Sequence, residues 1–480
     1  MSPRGPRSGL GSGRGSGRPA APLTPAAAPV PPVPSAPPAA LETRAPRELL
    51  ELPVRANPAF RLVLFDRLPA GQRRQLAELA RDPEHYGVLR PRRGSGLGLK
   101  AVDRETALLF LTLARPGPLP AYVRSRLGDD GAALALARLV ADGVLEIERG
   151  PEGFVSGAAA MPLFAAPATA GGRLAELSRA ALRHGQELAR TLREPDALHL
   201  SLRLYGYNRL PVTPRWRRTL SEAAAVRRYL GVAAGGRWQP LLERHWREPP
   251  AAGDEHWLRW RPAAAGATSR AVPAAGAGGA AGGARGAGAA GAPTYKLYVS
   301  PAPEALPEAF GAVLDGLAAV GPPGFKVGAG AGGLLRPDKI VAYFETFERL
   351  AAAAGALTER LAGVAAHGVP FTSEIAAGGL VSWGVDPPPA AGLGLLGSDG
   401  RMSWRLWLTN RLARALIAGV AAAGDAGAVG AAGVAGARNA AVEGTMEPWR
   451  FAVERLRLEG IDTDSWTPGG SLWRRQEEGA

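Results

Sequence analysis

The spacing of apolar and polar positions changes several times along the chain, and each change predicts an element. Residues 1–55 show no period. Pro, Ala, Gly, Ser and Arg dominate there, and large apolar residues are scarce, so a disordered tail is expected, with order beginning near Phe60. Residues 60–65 read as a strand. Residues 72–81 carry Leu76 and Leu79 at helical spacing, and 87–90 and 96–102 read as two short strands around an Arg/Gly turn. Asp103 is placed to cap a helix running to Leu113, with Ala107, Phe110 and Leu111 apolar, and Pro116-Gly117-Pro118 stops it. A second helix spans 120–127, Gly128-Asp129-Asp130 breaks it, and a third runs to Val140. Residues 144–148 and 153–155 then form a hairpin pattern. Short strands, three helices and a hairpin over 56–160 describe a winged-helix-like unit.

The middle region, 161–262, opens on a helical stripe from Leu174 to Leu192. Apolar positions then alternate at Leu198, Leu200, Leu202 and Leu204, which predicts a strand over 198–207. Aromatic residues beside arginines follow, at Tyr205, Tyr207, Trp216 and Trp257. Such pairs can hold an anion or pack down a surface loop, and packing is the reading adopted for them and for Trp260. Residues 263–293 are nearly all Ala and Gly, a linker between domains or an insertion within one.

From residue 294 the pattern becomes strand (296–299), helix (307–320), strand (324–327), strand (340–344) and helix (347–361). Helices at 404–417 and 448–458 close the chain, with a loose Ala/Gly stretch between them. The fold class is therefore α+β: an N-terminal winged-helix-like unit, a helical middle region, and a C-terminal sheet with packed helices over 294–480. Gly328-Ala-Gly330-Ala-Gly-Gly333 matches GxGxxG in form. A dinucleotide site needs a helix opening at its last glycine, and Pro337 does not suit one.

Composition narrows the chemistry. The 480 residues allow two or three domains. The absence of cysteine excludes disulfides, thiolate nucleophiles and cysteine metal sites, and fits a reducing cytoplasm. No metal or other cofactor is implied. The Ala/Gly-rich run over 416–434 has too few large apolar residues for a membrane span, so no membrane partner is expected. The net charge of +14 is attributed mainly to arginine-rich unstructured segments, and nucleic acid is not expected as a partner.

Lysine usage is uneven. Only four of the 57 basic residues are lysines, and three of them, Lys296, Lys326 and Lys339, fall within 295–344. Burial shifts a lysine pKa readily, whereas arginine stays charged, so lysines retained against such a bias are candidates for proton chemistry. If the strands of Lys296 and Lys326 are neighbours, both side chains share one face, and Arg336 and Lys339 enter from a loop. That cluster suits phosphate, and crowding of like charge lowers one lysine's pKa so that it can act as a base. A base beside a phosphate pocket is what β-elimination of phosphate from phosphoserine or phosphothreonine requires. His367 is the nearest histidine and a candidate acid; the alternative reading is a loop residue before Gly368.

Lys296-Leu297-Tyr298, Phe325-Lys326, Arg336-x-Asp338 before the strand at 341–343, Pro370-Phe371-Thr372 and Thr409-Asn410-Arg411 resemble elements of the Hop-A type III effector family. Relatives of that family in ribosomal-peptide gene clusters are associated with phosphate elimination. The resemblance implies a lyase. Read with the cation cluster, it gives Lys296 or Lys326 as base and Tyr298, Arg336 and Arg411 holding substrate, while Lys339 as a further substrate contact and His367 as acid come from the cluster alone, Lys339 having no match in the family. Over 100–107 and 139–145 the N-terminal unit also resembles PqqD-like peptide-recognition elements, and winged-helix domains generally. The implied partners are a peptide substrate and a separate kinase, since neither HRD nor DFG occurs. Two other readings stand beside the lyase: a non-catalytic scaffold for phospho- or acidic peptides, and a winged-helix DNA-binding regulator.

Overall fold

The computed structural model describes residues 45–76, 84–92, 98–165, 171–192, 196–249, 256–263, 294–321, 323–375, 378–387, 402–432 and 446–469. The readings made for residues 1–44, Leu79 and Gly96, and for most of the Ala/Gly run, lie outside them.

The chain joins the core at Ala45, ahead of the start expected near Phe60. A single 3-10 turn, Arg47–Glu51, buries Leu49 and Leu50. Two leucines suffice because each buried one contributes about 1.5–3 kcal/mol. There follow β1 (Val54–Ala56), β2 (Phe60–Leu64), α1 (Ala70–Gln75), β3 (His85–Pro91) and β4 (Lys100–Asp103). Asp103 caps α2 (Arg104–Thr112), its side chain accepting from the Thr106 amide at 2.7 Å. The next helical segment, α3 (Ala121–Ala141), is interrupted at Gly128, whose φ of 67° and ψ of 170° break it where the sequence predicts. β5 (Leu145–Glu148) and β6 (Phe154–Val155) form the expected hairpin. One small sheet has the order β1-β5-β6 and another β2-β3-β4.

The middle region supplies α4 (Arg173–Thr191), α5 (Ala197–Tyr205), α6 (Pro214–Thr219), α7 (Ala223–Tyr229), α8 (Gln239–His245), β7 (Trp246–Arg247) and β8 (Trp257–Pro262). Where a strand is expected from alternating leucines, α5 is a helix. Asp196 caps it by accepting from the Leu198 amide, and Leu200, Ser201 and Leu204 are buried at helical spacing while Leu202 is exposed. The period-2 reading fails because position 201 is also buried, through a polar contact: Ser201 Oγ donates to Asn410 Oδ1 at 2.6 Å.

The remaining elements are β9 (Tyr295–Val299), α9 (Leu306–Ala319), β10 (Phe325–Gly328), α10 (Ala331–Leu334), β11 (Ile340–Phe344), α11 (Phe347–Arg360), β12 (Ser373–Glu374), β13 (Val381–Val385), α12 (Trp404–Ala432), α13 (Pro448–Leu458), β14 (Ile461–Asp462) and β15 (Thr467–Pro468). α12 runs on through the first half of the stretch read as loose, in keeping with alanine's helix propensity. The α+β class holds. No helix among the described residues is long and apolar enough to cross a membrane.

The principal sheet is seven-stranded and antiparallel, in the order β12-β13-β9-β11-β10-β8-β7. β8 precedes the Ala/Gly run and β9 follows it, so the sheet draws strands from both sides of the boundary suggested at 294. One face carries Leu297, Val299, Phe325, Val327, Ile340, Ala342 and Trp260, which pack with Phe310, Leu314, Leu350 and Leu357 of α9 and α11. The GxGxxG stretch contains one helical turn, α10, that the sequence does not predict. Its glycines serve close packing: a Cβ on Gly328 would lie 2.4 Å from the Gly333 carbonyl carbon.

Candidate functional site

The other face of the sheet is polar. Register places Lys296 opposite Tyr343, and Val341 between Tyr298 and Lys326, while Arg259 of β8 lies opposite Lys326. Directly opposed residues point to one side of a sheet, so these side chains share a face. The strands of Lys296 and Lys326 are not neighbours, contrary to the condition set from the sequence. β11 lies between them, and Tyr343 occupies the gap: the two Nζ atoms lie 5.8 and 5.9 Å from its ring centre.

The two lysines differ in environment. Lys296 is buried, with Nζ 2.6 Å from Asp386 Oδ2. Asp386 also accepts from the Trp404 amide, which ties the start of α12 to this face. Lys326 Nζ lies 4.1 Å above the Trp257 ring. Burial pulls the Lys326 pKa down to about 7, and the nearby Lys296 charge adds to the shift. Trp257 thus belongs to the polar face, whereas Trp260 stacks on Phe325 in the core as expected.

A second cluster borders the first. Arg336 donates to both oxygens of Asp338, at 2.9 and 2.8 Å, and Arg405 Nη1 lies 3.0 Å from Asp338 Oδ2. The Tyr205 hydroxyl donates to Asp338 at 3.1 Å and accepts from Arg336 at 3.2 Å. Burial alone would raise the Asp338 pKa, but Arg336 and Arg405 overcome it and hold the carboxyl below its usual range. Burial also disfavours the Arg336 cation, and Asp338 with Tyr205 outweighs it, raising the pKa. Arg336 stacks 5.2 Å from Trp257, joining this network to Lys326. Burial raises the pKa values of Tyr205, Tyr298 and Tyr343, so all three stay protonated.

Lys339 and His367 form a third group. Lys339 is fully buried, donates to the Pro301 carbonyl at 2.9 Å, and lies 2.6 Å from His367 Nδ1. His367 Nε2 donates to the Asn208 carbonyl at 2.6 Å, which assigns the proton to Nε2 and leaves Nδ1 to accept from the lysine. Burial brings Lys339 down to about 7. His367 falls to about 4 through burial and the Lys339 charge. Asn208 closes the latch from a left-handed backbone (φ 66°), donating its side chain to the His367 and Gly368 carbonyls. This arrangement pins a loop to the end of β11 and commits His367 to it.

The structure therefore brings Lys296, Lys326, Tyr298 and Arg336 toward one polar face, and pairs Lys339 with His367 within electrostatic reach of Asp338. It does not bring Arg411 there. Arg411 pairs with Glu459 at 2.9 Å and stacks 3.6 Å over Trp407. The arginine in the first turn of α12 is Arg405, not Arg411. Sequence reasoning gave no site role to Arg405, Tyr205, Tyr343 or Asp386, and named Asp338 only as part of the Arg336-x-Asp338 element. The one signal available for Tyr205 was its place in an aromatic- and arginine-rich segment. Among the described residues no three His, Asp or Glu side chains are grouped as metal ligands would be. A separate recess, lined by Trp238, Gly311, Asp315 and Arg360, lies on the helix-covered side and contains none of these residues.

No protein-family model matches the chain, and no curated protein sequence matches it. Two solved structures are similar at low level. An effector protein from Pseudomonas syringae pv. tomato strain DC3000 aligns with a TM-score of 0.33 and 11% identity, over 62% of this chain and 100% of that one. An effector protein from Pseudomonas syringae pv. syringae strain 61 gives the same TM-score and identity, over 62% of this chain and 98% of that one. A likeness of this degree carries no inference about chemistry.

Proposed function

We propose that the chain is a peptide-modifying lyase that eliminates phosphate from phosphothreonine or phosphoserine. The observation that carries this reading is Lys326, a half-buried lysine whose pKa burial and neighbouring cations lower to about 7, on a polar sheet face. In the proposed reaction neutral Lys326 Nζ takes the Cα proton. The released electron pair forms the Cα=Cβ double bond, the Cβ–O bond breaks, and phosphate leaves with the bonding electrons. Lys296 and Arg259 attract the departing dianion. Tyr343, whose ring lies between the two lysines, is the proton donor in this reading. Asp338, Arg336, Arg405 and Tyr205 hold the wall of the site in place. The N-terminal unit binds the peptide, and a separate kinase supplies the phosphate.

One observation favours a second reading, a non-catalytic phosphopeptide binder. Lys296 is already paired with Asp386, and Arg336 and Arg405 with Asp338, so much of the positive charge is neutralised internally. The test is incubation of the full chain with phosphothreonine peptides, followed by mass spectrometry and phosphate release. Loss of phosphoric acid to give a dehydroamino acid supports the lyase. Saturable binding without mass loss supports the binder.

A further inference from the structure

Away from the polar face, α12, α13, the end of α3 and strand β4 meet in a second concentration of charge. Glu459 sits at its centre, paired with Arg411 at 2.9 Å and with Arg455 at 3.8 Å. Arg455 also pairs with Asp142 at 2.5 Å. Arg138, one turn before Asp142, donates to the Leu458 carbonyl. Lys100 lies over the Phe60 ring at 5.7 Å, within electrostatic reach of Asp142 and Arg455. Exposed Arg414, on the turn of α12 after Arg411, lies within reach of Arg455 and Glu459. Five cations from four elements thus surround two carboxylates. Ion pairs fix Arg411 and Arg455, and Arg411 also stacks on Trp407, while Arg414 stands exposed beside them.

We infer that this cluster is a docking site for an acidic polypeptide segment, one that brings discrete carboxylates to Arg414, Arg411 and Lys100. Asp142 and Glu459, interspersed among the cations, set the ligand class. They would repel a continuous row of phosphates, whereas a peptide can place its carboxylates at the cations and its neutral backbone beside the two acids. Crowding supports the same conclusion. Burial, together with the neighbouring cations, lowers the pKa of both Arg411 and Arg414, a cost that an incoming carboxylate relieves. The site does not depend on the elimination reading.

The test uses fluorescence anisotropy of a labelled all-glutamate octapeptide with the full chain. Arg414→Glu is compared with Arg218→Glu, which makes the same change in net charge at an exposed site on α6. The expected result is saturable, salt-sensitive binding that weakens at least tenfold in Arg414→Glu and at least fivefold in Arg414→Ala, and stays within twofold in Arg218→Glu. Equal losses in the two charge reversals would mean that binding follows net charge and would overturn the site. So would absence of binding, or tighter binding of a single-stranded oligonucleotide of equal charge that Arg414→Glu abolishes.

Discussion

Lys326 Nζ lies 4.1 Å from the centre of the Trp257 ring, and these residues come from strands on opposite sides of the Ala/Gly run. The indole covers one side of the ammonium group, and burial together with the Lys296 charge lowers the lysine pKa to about 7. If Lys326 is the base, Lys326→Met should lower phosphate elimination by roughly 10²–10⁴-fold while phosphopeptide binding changes only a few-fold. Lys326→Arg should be no better, since arginine stays protonated. Undiminished turnover in Lys326→Met would rule out the role.

The same lysine sets a pH dependence. Elimination should rise as pH passes through about 7 and then level off, because the reactive form is neutral. Trp257→Ala, which lets water reach the ammonium, should move the midpoint upward toward the usual lysine range. A profile that stays put in Trp257→Ala would show that the indole does not control the titration.

Stability should also vary with pH. Lys326 and Lys339 both have folded-state pKa values below the unfolded ones. Between about 7 and the normal lysine value the unfolded chain binds more protons, so stability rises with pH across that window. His367, held near 4, gives a lower window: stability falls as pH drops from the normal histidine range to about 4. Thermal melts from pH 4 to 10 should show both slopes, and a flat curve below pH 6.5 would contradict the neutral, Nε2-protonated His367.

The Lys339–His367 contact makes a further prediction. His367→Phe removes the acceptor for a fully buried lysine and should cost about 1–3 kcal/mol. Adding Lys339→Met should recover part of that loss, because both partners are then apolar. Urea unfolding of the single and double variants measures the coupling, and additive losses would argue against the latch.

Asp338 serves three partners, and its loss should be more severe. Asp338→Asn leaves Arg336 and Arg405 buried without their shared counter-ion, at an expected cost of about 3–5 kcal/mol. A chemical unfolding midpoint close to wild type would indicate that water reaches this cluster.

The sequence was informative where one force acted alone. The α9 and α11 stripes, the Asp103 cap and the Gly128 break are local events, governed by period, capping and backbone freedom. The leucines of α5 misled because Ser201 is buried through a hydrogen bond, and hydrophobic spacing cannot register a polar contact. Uneven lysine usage pointed to β9 and β10, whose lysines the register places on one face. It could not show that β11 separates them, or that Asp386 and Asp338 neutralise the neighbouring cations, because strand order and ion pairing depend on distant parts of the chain.

The strand order also dictates when the polar face can exist during synthesis. β13 closes on β9 from beyond α9, β10, β11 and α11, and Arg405 reaches Asp338 only after β13 has been made. Until then a nascent chain carries Asp338 with one of its two arginines and Lys296 without Asp386. Pairings this far apart in sequence fold slowly, and the charged face is therefore among the last parts of the molecule to mature on the ribosome.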